Sequence, residues 1–471
     1  MGNNFYSIWP QAIGTTSLKM GPFYTVISVE LGNTTTKCIL MTTNLKTGIL
    51  YQIAKEVRHT RNIRPPHPTE EVFGNTVVGV ELTHEAVVEF ISDILDAVLM
   101  KSRLNREKDV HFVVRSTGVT ASFGSPKEVH GIIKALADGC LKAGIPPQRM
   151  MATMNPDKLP PGIRDFSWLK KVHFDGAIAS CLPPEETGIV ANEMEGELVT
   201  AGIKGAAKGT QVDFRNPVMT LDFGTTLAGR VTNDSYPYAK TIGSFAGLAG
   251  AIPDALVRGS GQVDSRFGCT LDLHASSQAF SAPINLEWVE EISRLIRVQT
   301  IQKGTSRFGT VPVNPTAADE GGVVLIGVDA GKNGSKLSDL EGIGGAIFQE
   351  SGAKGLLTII DYVQLRVLQR ILTVAQESDL ILENTSLGLT GRAITSAGKP
   401  LLIAENLHLA DGSLWVQKNP VVFVEDGLAM GAAVAARCMN SMGTPHEPMG
   451  GRKGDRCIMS ERARLQKGKK S

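Results

Sequence analysis

Two short segments repeat one arrangement of chemically useful residues: Glu30-Leu-Gly-Asn-Thr-Thr and Asp222-Phe-Gly-Thr-Thr. In each, a carboxylate precedes a glycine turn that carries threonine hydroxyls. Glycine permits a tight turn, successive backbone N–H groups can converge on an anion, and the hydroxyls add donors. A phosphate fits such a turn. The carboxylate would be repelled by phosphate directly, so its task is to hold Mg²⁺ through water, with the ion bridging phosphate oxygens. On this reading Asp222 is a catalytic residue and the magnesium ligand, and Gly224, Thr225 and Thr226 form one phosphate turn. Glu30, Gly32, Asn33, Thr34, Thr35 and Lys37 form the other. A single turn of this kind is an ordinary hairpin. Two of them, about one domain length apart, predict phosphates clamped between two related halves.

Further candidates lie outside the turns. In Gly388-Leu-Thr-Gly391-Arg392 the glycines would let the backbone pass beneath a purine or ribose, and the guanidinium could stack on the base. Within Glu186 to Thr200 the acids Glu186, Glu193 and Glu197 stand near helical spacing, and Glu193 is the candidate general base. The loop Arg115 to Gly124 follows a strand and would open toward the cleft. Gly427 and Gly431, four apart among alanines, would let another helix approach closely at a junction. His59, His67, His173 and His446 show no metal-ligand spacing and read as surface or core histidines.

These residues need elements to position them. YTVISVE and KCILMTT read as a hairpin, and residues 82–105 carry the three- and four-residue apolar spacing of a helix. HFVVRSTGVTASF follows as a strand running into a loop, and residues 128–140 as a helix. The stretch 145–162 is proline-rich and reads as irregular. NPVMTLDFGTTLAGRVTND repeats the hairpin. GSFAGLAGAIPDALVRG reads as a glycine-rich helix, GVVLIGVD as a strand, DYVQLRVLQRILTVAQ as a long helix and EDGLAMGAAVAARC as a helix of small residues.

At 471 residues and 42% hydrophobic, the chain exceeds what one core usually organises, so two domains are expected. The expected division is an N-terminal extension over 1–22, a first lobe over 23–200, a linker over 201–216, a second lobe over 217–445 and a basic tail over 446–471. The last twenty residues carry eight basic and two acidic side chains, suited to an acidic partner surface or to solubility alone. Over the whole chain charge is balanced, 48 basic against 47 acidic, which argues against a nucleic-acid or membrane surface. There is no secretory signal pattern and no long apolar run, so a cytoplasmic protein is expected. The six cysteines form no Cys-x-x-Cys pair, as expected of thiols in a reducing compartment.

VELGNTTTKC, LDFGTTLAGR and ENTSLGLTGRAIT resemble the two phosphate segments and the adenosine segment of the acetate and sugar kinase, heat-shock chaperone and actin superfamily. The resemblance spans Val26 to Ala436. It implies an α/β fold of two related lobes with ribonuclease H-like mixed sheets flanked by helices, and an ATP and Mg²⁺ cleft between them. Glu30 departs from the aspartate usual in the first segment. The longer wording of VELGNTTTKCILMTTNL, VRSTGVTASFGSP and GSFAGLAGAIPDALVRGSGQVDSRFG resembles the methanogenesis marker protein 14 family of methane-producing archaea, across nearly the whole chain. That resemblance implies a role in methanogenesis and brings no reaction with it.

Superfamily analogy points to ATP-dependent reductive activators, in which lobe closure drives a redox partner. The partner here would be a methanogenic enzyme or its activation machinery, and the chain could form a homodimer. The activators carry iron–sulfur clusters; the scattered cysteines show no such ligand set within one chain, although Cys38, Cys181 or Cys269 of two chains could share one. An ATPase, a small-molecule kinase and a non-catalytic assembly factor all remain open at this point.

Overall fold

The computed structural model describes residues 4–150, 153–154, 174–175, 191, 193–235, 239–273, 285–396 and 398–442. Most of the stretch expected to be irregular, the first part of the expected helix from Glu186, and the basic tail lie outside these residues.

The first sheet is built on the predicted hairpin. Phe23–Leu31 pairs antiparallel with Thr35–Asn44, which pairs antiparallel with Leu50–His59. Phe112–Thr117 joins the other side of Phe23–Leu31 in parallel. The parallel connection runs through the helix His84–Ser102. Its start is fixed by the Thr83 hydroxyl accepting from the Ala86 N–H, and its end by Arg103 in the left-handed region.

The second sheet repeats the order. Val218–Phe223 and Leu227–Thr232 form the hairpin, Thr241–Gly247 continues it, and Ser386–Thr390 lies parallel to the first strand. Val421–Val424 follows in parallel, and further strands bring this sheet to eight among the described residues. The chain is therefore a mixed α/β structure with mixed sheets flanked by helices. Four strands of each sheet thus share one order.

Three sequence expectations are corrected. GSFAG is a strand, bonded on both edges, and only Ala251–Gly259 is helical; glycine lowers the local signal for a strand, and sheet pairing decides it. The first 22 residues are not a separate extension. Phe5–Ile8 pairs with Val421–Val424 in the second sheet, and Gln11–Ala12 pairs with Tyr51 and Gln52 in the first. The expected linker from 201 begins inside the helix Glu193–Ala207. The predicted long helix extends further than its periodicity suggested, over Leu337–Glu377, with a break at Gly352, whose φ is 64°.

Strand alternation decides which core each side chain enters. Ile27, Val29 and Leu31 pack under the first sheet, whereas Val26 points to the opposite face. Val421 and Phe423 join the core of the second sheet, whereas Val422 and Val424 join Val26, Met41, Leu198, Ile203 and Leu428. This shared core holds the helices Glu193–Ala207 and Gly427–Met442 between the two sheets. The two helices touch backbone to backbone: a Cβ on Gly202 would overlap the Gly427 carbonyl, and one on Gly431 would overlap the Leu198 carbonyl. The close approach expected at Gly427 and Gly431 is present. Each large aliphatic side chain buried in this layer contributes roughly 1.5–3 kcal/mol, so the helix pair fixes how the sheets sit together.

Candidate functional site

Glu30 and Asp222 occupy equivalent places, one residue before the end of the first strand of each hairpin. The turns that follow meet across the seam, where the Thr34 and Thr225 hydroxyls are 2.8 Å apart. Each turn is fixed from behind. Asn33 donates to the Gly118 carbonyl at 2.7 Å and accepts from the Val77 N–H at 2.9 Å, so its side chain is committed to support. The Thr60 hydroxyl donates to the Gly32 carbonyl at 2.7 Å, and the Thr60 N–H donates to the Thr34 carbonyl at 2.9 Å. On the other side the Ala249 and Ala251 N–H groups reach the Thr225 carbonyl, and the Gly250 N–H reaches that of Gly224. Gly32 is required by space, because a Cβ there would lie 2.6 Å from the Thr35 carbonyl oxygen. Thr35 and Thr226 are buried beside these turns.

Beneath the turns lies a cluster of acids. Asp222 is 6% exposed, and its pKa is pushed up to about 7 by burial and by the Glu30 charge, with Lys37 opposing. Glu195, on the helix Glu193–Ala207, is driven well above the usual carboxylate range by burial and then by Asp222 and Glu30. Among the described residues neither carboxylate accepts a hydrogen bond. Lys37 lies 3.8 Å from Glu30 and 3.9 Å from Asp426. Burial works against its charge, but Glu30, Asp426 and Asp222 outweigh it and hold the ammonium above its ordinary pKa. Lys55 binds Asp426 at 2.5 Å and Glu425 at 3.0 Å, tying the first sheet to the start of the helix Gly427–Met442.

Burying carboxylates that lack donors is costly unless they take up a proton or a cation. The donors here are hard oxygens, and they suit a hard divalent cation such as Mg²⁺.

The sequence candidates divide into groups. Glu30, Gly32, Thr34, Thr35, Lys37, Asp222, Gly224, Thr225 and Thr226 converge on the seam between the sheets. Gly391 joins them. Its φ is 94°, and a Cβ there would collide with Asp222 Oδ1 and the Phe223 carbonyl. Gly388 stands apart, inside a strand, where its missing side chain makes room for Phe214 and Ile203.

Arg392 is at the seam but is not free to stack. It pairs with Asp254, which is 1% exposed, and donates to Thr270 Oγ1 at 2.8 Å and Thr34 Oγ1 at 3.2 Å. Glu193 begins its helix, and its side chain lies outside the described residues. Glu197 is engaged with Arg230.

Glu195, Asp254 and Asp426 were missed by sequence reasoning. A signal for Glu195 was present in the adjacent Gly196, where a Cβ would come within 3.0 Å of the Gly229 carbonyl, so the helix end presses onto the second hairpin. The loop from Arg115 to Gly124 supports Asn33, and its Ala121 and Phe123 carbonyls accept from Arg307 of the other half.

No helix among the described residues is long and apolar enough to cross a membrane. Among solved structures, a chain titled "Reductive activator for corrinoid,iron-sulfur protein" aligns at TM-score 0.37 and 10% identity, over 88% of this chain and 60% of its own. A chain from a structural study of the Aquifex aeolicus PPX-GPPA enzyme aligns at TM-score 0.25 and 10% identity, over 47% of this chain and 52% of its own. The protein thus spans less than two thirds of either chain, and at these scores neither likeness bears on function.

Sequence relatives are far nearer. An uncharacterized protein of Methanocaldococcus jannaschii is 50% identical over 97% of this chain and 94% of its own length. An uncharacterized protein of Methanothermobacter thermautotrophicus is 51% identical over 96% of this chain and 84% of its own. Both come from methanogens. With residues 23–466 matched, the chain belongs to the family described as "Uncharacterized protein conserved in archaea (DUF2114)".

Proposed function

We propose that this protein binds ATP with Mg²⁺ at the seam between its sheets and hydrolyses it, using lobe closure to activate or remodel a methanogenic enzyme. The reading carries with it the actin-like superfamily and the methanogenesis marker protein 14 resemblance. One observation supports it most: two acidic-x-Gly turns carrying threonines, on equivalent strands, meet at Thr34 and Thr225 above Asp222 and Glu195, which accept no hydrogen bond among the described residues.

Asp222 would hold the magnesium ion through water, with Glu30 and Glu195 beside it. When bound, the ion neutralises charge on the phosphate oxygens. The protein's own groups do the rest. Thr34 and Thr225 offer hydroxyls to an anion once they part from each other, and Lys37 keeps a positive charge beside the acids. Glu195, with its raised proton affinity, is placed to hold and release a proton near Asp222. It replaces Glu193 as the proposed general base.

The direct Thr34–Thr225 contact and the engaged Arg392 give a second reading specific support: a non-catalytic assembly factor that keeps the fold in a closed state. Calorimetry of Mg²⁺-dependent ATP binding separates the two, comparing the intact chain with Asp222→Ala. Binding lost in a folded variant supports the ATPase reading. Absence of binding in both proteins overturns it and leaves the assembly factor.

A further inference from the structure

We propose that His59, Cys269 and Asp272 form a zinc-type metal site that bridges the two halves of the chain. One ligand atom from each of the three residues lies within 4.8 Å of the others. His59 ends the strand Leu50–His59 of the first sheet, whereas Cys269 and Asp272 follow the helix Ala251–Gly259 of the second half. A thiol, an imidazole and a carboxylate are the donor types that zinc takes, and three protein ligands leave the fourth position open.

The distances are near what the metal needs. Cys269 Sγ is 4.0 Å from His59 Nδ1, and Asp272 Oδ1 is 3.4 Å from His59 Nε2. One metal takes only one of the two ring nitrogens, and zinc bonds of roughly 2.0–2.3 Å hold tetrahedral donors about 3.3–3.6 Å apart, so donors spread over as much as 4.8 Å must close by roughly 1–1.5 Å at the widest pair. Lone pairs are available as well. Asp272 Oδ2 accepts from Arg61 at 2.5 Å and from the Cys269 N–H at 2.9 Å, and Oδ1 accepts from Arg61 at 2.7 Å. A carboxylate has about four acceptor sites, so Oδ1, the oxygen that faces His59, keeps one. Arg61 then acts as the outer group that orients a metal-binding carboxylate.

Cys269 is buried, and its thiol would lose its proton on binding the metal.

The site is tied to both turns. Thr60, next to His59, holds Gly32 and Thr34; Thr270, next to Cys269, binds Asp254 and Arg392. A metal here would resist separation of Thr34 from Thr225. The proposal does not depend on nucleotide, and its test contains none.

The chelator-treated full chain is titrated with Co²⁺ alone and then with Zn²⁺. The expected result is one equivalent of Co²⁺ giving a near-ultraviolet sulfur-to-cobalt band, which zinc displaces, and a zinc-dependent rise in the unfolding midpoint. Cys269→Ser should abolish the band and the rise. His59→Gln, at a partly exposed position better able to tolerate substitution, should shift the band and weaken zinc binding at least about tenfold, with circular dichroism confirming the fold. No band in the intact chain, or a band unchanged in both variants, overturns the assignment.

Discussion

Replacing Asp222 with Asn should stabilise the protein at alkaline pH while removing its proposed magnesium function. The buried carboxylate has its pKa raised from 3.8 to about 7, first by burial and then by Glu30. At about 1.4 kcal/mol for each tenfold change in proton affinity, keeping it ionised costs on the order of 4 kcal/mol, with the opposing Lys37 charge already included in the shift.

The direction follows from linkage. The folded chain binds this proton more tightly than the unfolded chain does, so the group contributes nothing unfavourable below about pH 4. Stability then falls as pH rises toward about 7, and the loss is complete above that. Asn carries no charge at any pH and removes this slope. Denaturant unfolding of both proteins at pH 5 and pH 8, without metal or nucleotide, is the assay. Asp222→Asn should be more stable by about 4 kcal/mol at pH 8 and by much less at pH 5. Added Mg²⁺ and ATP should stabilise only the intact protein. A variant no more stable than the parent at pH 8 would refute the claim that the acid cluster is strained by its own charge.

Two further outcomes follow from the seam. Arg392→Ala strands Asp254, which is 1% exposed, as a buried unpaired charge, and should cost about 3–5 kcal/mol in unfolding experiments; adding Asp254→Asn should restore part of the loss. Gly431→Ala forces a methyl group into the Leu198 carbonyl and should destabilise by about 1–3 kcal/mol, whereas Gly342→Ala, with open space around it, should not destabilise.

The chemistry of short segments was legible without a fold. A glycine turn with threonines behind a β-branched run forms a hairpin by local rules, and both hairpins were found with their acids in the right place. The apolar spacing of residues 84–102 and the small-residue pattern around Gly427 and Gly431 likewise announced a helix and a close helix contact. These signals are local because backbone torsion, turn geometry and side-chain period are set by neighbours in the chain.

Partners distant in sequence could not be read this way. Glu195 meets Asp222 at a helix end that docks Gly196 on Gly229, a contact that no local pattern announces. Arg392 was legible as a cation after a glycine, but its engagement depends on Asp254 and Thr34 from elsewhere in the chain. His59 lacks any metal spacing in sequence, and it meets Cys269 and Asp272 because the two halves pack face to face. GSFAG is a strand because two neighbouring strands bond it on both edges. Sequence by itself determined the local devices, two hairpin turns of glycine and threonine behind an acid, and the segments that carry them. Tertiary structure decided which charges share a buried space, because that depends on packing between residues hundreds of positions apart.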